Sequence, residues 1–218
     1  MVTVRVKSGI SQFHLNSSAR FAFACAQIES EEKHLEWPQP RWDEARSNAL
    51  AAVLLAAASL ESSVNEFYQQ AVDRDRDALK SLSETQMKLL AELWPEIEKR
   101  SPVRKHQVAL VAMGHEPMSK GQEPYRSANG LNSLRNALIH FRPEWDDDLK
   151  VHRSLEKELS QLFPASALAD RAKGQMAWFP LKCLGAGCAE WAIESAVRFS
   201  QQFVNTLGIR ERLRRVTT

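Results

Sequence analysis

Disulfide chemistry has little to work with in this chain: three cysteines, Cys25, Cys183 and Cys188, stand in 218 residues. No secretory leader precedes them, so the expectation is a reduced, cytoplasmic protein and not a secreted, disulfide-stapled one. The longest apolar run, Ala49 to Leu60, is too short to span a bilayer and is interrupted by Ser59. A formal charge of +2, from 29 basic and 27 acidic residues, excludes a grossly polybasic nucleic-acid binder and leaves only local basic patches. HxH, CxxC and HExxH patterns are all missing, so neither a metal nor a cofactor is expected. Cys183 and Cys188, with four residues between them and no histidines nearby, read as packing residues. Repeats and low-complexity tracts are absent, and so are convincing strands beyond residue 18.

What the chain does contain is helical periodicity. Val2 to Val6 alternate like a strand, but one short strand without a partner is not stable alone, so residues 1–16 are either an edge strand or a leader. From Ser17 or Ser18 a helix is expected, with Phe21, Ala24, Cys25 and Ile28 on one face. Trp37 to Trp42, with two prolines, reads as a rigid non-helical link. Asp43 then opens the longest helix, running to about Ala71. It is apolar nearly all round at 49–58, which predicts burial on several sides, and then one-sided, with Glu61, Asn65 and Gln69 in an i, i+4, i+8 polar row. A helix from Leu82 to Trp94 should break or kink at Pro95, and Ser101-Pro102 has the signature of another start, with an end near Gly114. Asp146 to Asp148 are expected to cap a shorter helix reaching about Phe163. Residues 164–184 lack a clear period, and an amphipathic final helix ends at Gly208, followed by a basic tail at 209–218. The reading is one all-α domain over 1–218, an up-and-down bundle of four or five long helices with short additions.

Chemistry concentrates at Leu131 to Pro143. Leu131, Leu134 and Leu138 recur at helical spacing, and Asn132, Asn136 and His140 recur four apart on another face, so one helix carries both an apolar stripe and a polar seam. It starts either at Pro124, running through Gly130, or afresh near Asn129. Pro143 ends it, which leaves His140 in or near the last turn, where the helix dipole favours a protonated imidazole. A second arginine–histidine pair, Arg100 and His106, is discounted because Pro102 interrupts any continuous helix between them.

Arg135-Asn136-Ala137-Leu138-Ile139-His140, late in an all-helical chain, resembles the signature of the HEPN superfamily, many members of which are metal-independent ribonucleases. That signature is an arginine, commonly followed by a polar residue, then a histidine after four to six residues. The resemblance implies that Arg135 binds the scissile phosphate, that His140 is the general acid or base, and that Asn136 positions one or both. Superfamily sites often draw a polar residue from an earlier core helix, which makes Glu61 and Asn65 secondary candidates; Arg142 is a further phosphate contact. In one toxin branch a tyrosine stands two residues after the histidine and is modified by a partner enzyme. Arg142 occupies that position here, so regulation of that kind is not expected.

Cleavage of RNA by 2′-hydroxyl attack requires one proton removed, one delivered to the leaving 5′-oxygen, and a charged phosphorane stabilised, tasks that histidine and arginine suit. The expected activity is therefore that of a metal-independent endoribonuclease on single-stranded RNA, employed as a toxin or antiviral effector, with a neutralising partner protein a corollary of the toxin role. Arg135 and His140 lie about 140° apart around an ideal helix, so one helix hardly aims both at one phosphate. A homodimer with facing motif helices does, and the resemblance implies the same arrangement. The competing reading is a non-catalytic helical module for protein or nucleotide binding. The six tryptophans read as core or cover, with Trp145 the one suited to base stacking.

Overall fold

The computed structural model describes residues 8–31, 40–145, 150–169 and 177–209. Val2 to Val6, Trp37, Asp146 to Asp148 and the tail from Arg210 onward lie outside these residues. The described chain is all-helical: α1 (Ser11–Glu31), α2 (Pro40–Val72), α3 (Glu84–Ile97), α4 (Pro102–Ala112), α5 (Tyr125–Ile139), α6 (Val151–Leu159) and α7 (Ala186–Thr206), with a π-helical turn at Trp178–Lys182 before α7. The 33-residue α2 is the axis of the bundle, and α1, α3, α4, α5 and α7 all pack on it.

Two cores lie along α2. Around its alanine-rich half, Ala49, Ala52, Val53 and Ala56 meet Cys25 and Ile28 of α1, Leu131 and Leu134 of α5, Leu155 and Leu159 of α6, and Ala192 and Phe199 of α7. Small side chains on α2 let its neighbours approach closely, and each buried leucine or phenylalanine contributes about 1.5–3 kcal/mol against exposure. Around the other half, Val64, Phe67, Tyr68 and Ala71 meet Leu90 and Ile97 of α3, Leu110 of α4, and Phe203 and Leu207 of α7. By length and composition α2 passes as a membrane span, but its alanine faces are packed inside this bundle.

Several boundaries differ from expectation. α1 begins at Ser11, so residues 11–16 belong to a helix and not to a leader. Glu66 of α2 accepts hydrogen bonds from the Ile10 and Ser11 backbone N–H groups and from Ser11 Oγ, at 2.7, 3.0 and 2.8 Å, and so supplies the cap that the local sequence lacks. α2 takes in Pro40, Arg41 and Trp42 from the expected link; proline is tolerated in a first turn, and Trp42 is buried there. α3 begins at Glu84 behind a Ser83–Gln86 capping box and continues through Pro95 to Ile97. α6 begins at Val151, where Glu144 accepts from the Val151 and His152 N–H groups, and ends at Leu159, short of Phe163. Ile209 packs against the second core instead of opening the tail.

Candidate active site

α5 is a single helix from Tyr125 through Gly130, which resolves the open question of its start. Gly130 sits where a Cβ would come within 2.9 Å of Leu159 and 3.4 Å of Trp191, so its small size lets α5 close on α6 and α7. Leu131 and Leu134 are fully buried against the first core, and Arg135, next along the chain, flanks that buried face, where its guanidinium reaches both α2 and solvent. The helix ends as the Pro143 signal requires: His140 is the C-cap, with its backbone N–H donating to Asn136 O at 2.9 Å.

Arg135 Nη2 lies 3.8 Å from Glu61 Oε2 of α2, and Arg135 Nη1 donates to Asn136 Oδ1 at 2.9 Å. The other oxygen of Glu61 is 3.6 Å from Lys105 Nζ of α4, and that amine donates to Asn65 Oδ1 at 2.8 Å. Trp94 of α3 places its ring centroid 5.4 Å from the same amine. The α2 polar row thus brings Glu61 to Arg135 and Asn65 to a lysine invisible to the sequence reading, which completes the line. Lys105 is 1% exposed, whereas Glu61 and Arg135 are 37% and 35% exposed. The line therefore runs from a dry end at Lys105 to a wet end at Arg135. Burial pushes the Lys105 pKa down, and Glu61 and then Glu98 pull it back up.

His140 is exposed one turn beyond Asn136, and among the described residues its imidazole has no hydrogen bond or ion pair. Glu61 and Asn136 are joined to Arg135, and Asn65 is held on the far side of Glu61 by Lys105, while His140 stands apart at the helix end, open to solvent. Beyond it, Arg142 is exposed and its carbonyl accepts from His152 Nε2 at 3.1 Å. His152 in turn stacks on Phe141 and lies 3.6 Å from Glu144, which pins the segment leaving the motif. Backbone hydrogen bonds from His152 and Val151 hold the Glu144 carboxyl below its ordinary pKa. Ile139, Phe141, Trp145 and Val151 form an exposed apolar rim around this end.

The discounted pair separates in the structure. His106 is buried, its Nδ1–H donating to Pro102 O at 2.8 Å and its ring edge-on to Phe199 and Phe203, while Arg100 precedes α4. The cysteines are likewise unsuited to nucleophilic work: burial pushes Cys25 and Cys183 up to about 12 and moves Cys188 in the same direction. Among the described residues no group of three histidine, cysteine, aspartate or glutamate side chains is arranged to hold a metal ion.

Sequence reasoning missed Lys105, Trp94, Glu144 and His152. A polar row on a core helix needs a countercharge from somewhere, and that is the one signal that directs attention to a lysine such as Lys105. No family model, no curated protein and no solved structure matches this chain.

Proposed function

We propose that this protein is a metal-independent endoribonuclease of HEPN type that cleaves single-stranded RNA. The observation that supports this reading best is the meeting of Arg135, bonded to Asn136, with Glu61 of a different helix, on a half-exposed seam beside the His140 end of α5. In this reading Arg135 holds the scissile phosphate and His140 takes or gives the proton. The 2′-oxygen loses a proton and bonds to phosphorus, the bond from phosphorus to the 5′-oxygen breaks, and that oxygen receives a proton. Arginine stabilises the intervening charge. Arg142, exposed just past the helix end, contacts a neighbouring phosphate, and Trp145, 82% exposed, offers a face for a base.

The proposal extends to a homodimer across the motif helices. Ile139 and Phe141 flank His140 and are exposed, which gives a two-fold contact apolar surface to bury next to the reacting groups. The cellular role that accompanies this reading is that of a cytoplasmic toxin or antiviral effector restrained by a neutralising protein.

The test is cleavage of single-stranded RNA by purified protein in EDTA. Products are expected to carry 2′,3′-cyclic phosphate and 5′-hydroxyl ends, and His140→Ala is expected to lose about 100- to 10,000-fold in rate. Folded His140→Ala protein cleaving at the wild-type rate would overturn the assignment, and 5′-phosphate products would point to attack by water instead. A second reading, a non-catalytic binding module, has its own support in the apolar rim of Ile139, Phe141, Trp145 and Val151 and in the pairing of Arg135 with Glu61. Induced expression in bacteria separates the two: growth arrest relieved by His140→Ala supports the enzyme, and a harmless wild type supports the module.

A further inference from the structure

Three charges stand in a row on the seam, Lys105, Glu61 and Arg135, with one carboxylate between two cations. Each oxygen of Glu61 faces a different cation, at 3.6 Å on the Lys105 side and 3.8 Å on the Arg135 side, so neither claims the carboxylate by a direct short hydrogen bond. The two cations differ in access. The Lys105 ammonium is enclosed, tied to Asn65 at 2.8 Å and covered by Trp94 at 5.4 Å, and no dissolved anion reaches it. Arg135 is open enough to receive one.

We infer that Lys105 is a positioning residue that draws Glu61 off Arg135, so that the surplus positive charge of the trio is offered to a phosphate at Arg135. This rests on the reading of Arg135 as the phosphate-binding residue and adds the device that keeps it available. Without an internal countercharge, Glu61 has Arg135 as its partner on the seam and neutralises it, leaving an ion pair that an incoming phosphate must first break. With Lys105 present, the carboxylate shifts its interaction to the buried amine as the phosphate arrives, and the net charge of the trio stays at one positive unit. The other groups facing the amine do not undo this arrangement: Asn65 and Trp94 are neutral, and Glu98, whose charge Lys105 also feels, is exposed at the C-terminal end of α3. Low local dielectric strengthens the buried half of the row relative to the wet half, which is the direction the device needs. Burial works against the ammonium charge, and the Glu61 carboxylate beside it works in its favour.

The experiment reads binding and not cleavage. A fluorescent single-stranded RNA bearing 2′-O-methyl groups throughout, which has no attacking hydroxyl, is titrated by anisotropy with wild type, Lys105→Met, Glu61→Gln, the double variant and Arg135→Ala. Lys105→Met is expected to weaken binding about tenfold, the size of one charge-assisted contact. Glu61→Gln should bind several-fold tighter than wild type, and the double variant should match Glu61→Gln, because removing the carboxylate leaves Lys105 nothing to restrain. Lys105→Met that binds like wild type, or a double variant as weak as Lys105→Met alone, overturns the inference. Should Lys105→Met not fold by circular dichroism, Lys105→Gln takes its place, alone and combined with Glu61→Gln, and is read in the same way. Arg135→Ala separates the two levels. If it binds normally, the phosphate-binding reading falls; if it binds weakly while Lys105→Met is unaffected, only the positioning role falls.

Discussion

Lys105 and His106 are neighbours in α4, and their opposite relations to charge follow from the sides of the helix they take. Lys105 faces the polar seam and finds Glu61 and Asn65, whereas His106 faces Phe199 and Phe203 and finds one carbonyl, Pro102 O. A carbonyl only accepts, so Nδ1 carries a hydrogen. Burial holds the His106 pKa down to about 4 from 6.5, with the Pro102 hydrogen bond opposing the shift and the Lys105 charge adding to it. The unfolded chain takes up a proton below pH 6.5 that the folded chain refuses until about pH 4. Stability tied to this residue is therefore fully present above pH 6.5 and is lost as the pH falls toward 4. Urea unfolding at several pH values across this window should show a shallower acid slope for His106→Phe than for wild type, whatever its absolute stability. Equal slopes would mean that other groups carry the acid sensitivity.

Helix ends show where local sequence speaks and where it does not. α4 and α7 both finish with the same pair of bonds. Gly114 and His115 N–H donate to Val111 and Leu110 O, and Gly208 and Ile209 N–H donate to Asn205 and Val204 O, with the glycines at φ +82° and +62°. α2 finishes in the same way at Arg74, whose N–H donates to Ala71 O while Asp75 N–H donates to Gln70 O, but here a residue with a Cβ takes φ +55°. Arg74→Gly should relieve that strain at some cost in unfolded-chain entropy and raise stability by about 0.5 kcal/mol net, read from denaturant midpoints; a lower midpoint would contradict it. The glycines at 114 and 208, Ser101-Pro102 and Pro143 were legible because each acts through its own backbone. The starts of α1 and α6 were not, since Glu66 and Glu144 cap them from 55 and 7 residues away. The site divides likewise: Arg135, Asn136, His140 and the Glu61–Asn65 row follow from spacing on single helices, while Lys105 reaches the row only because α4 packs against α2. Pro95 does not break its helix, since α3 carries it and continues to Ile97.

At the scale of the whole molecule, one chain presents Arg135 on the α2 side of α5 and His140 exposed at its end, which suits the proposed pairing of two copies around one groove. Activity per chain should fall on dilution through the dimer dissociation range, and an excess of His140→Ala chains mixed with wild type should poison it. Activity that stays proportional to concentration in a monomeric protein would refute the shared groove while leaving the roles of Arg135 and His140 open to their own test. The two cores strung along α2 carry a different consequence. Arg135 rides on α5, which is packed in the first core, whereas Lys105 comes from α4 and Trp94 from α3, both of which border the second. Proteins open in cooperative pieces smaller than the whole. A bundle divided in this way can loosen α3 and α4 while α5 stays folded, and Glu61 then turns to Arg135. Amide hydrogen exchange in the second core would then track how often the seam is switched off, coupling a slow breathing motion of α3 and α4 to the proposed anion capture at Arg135.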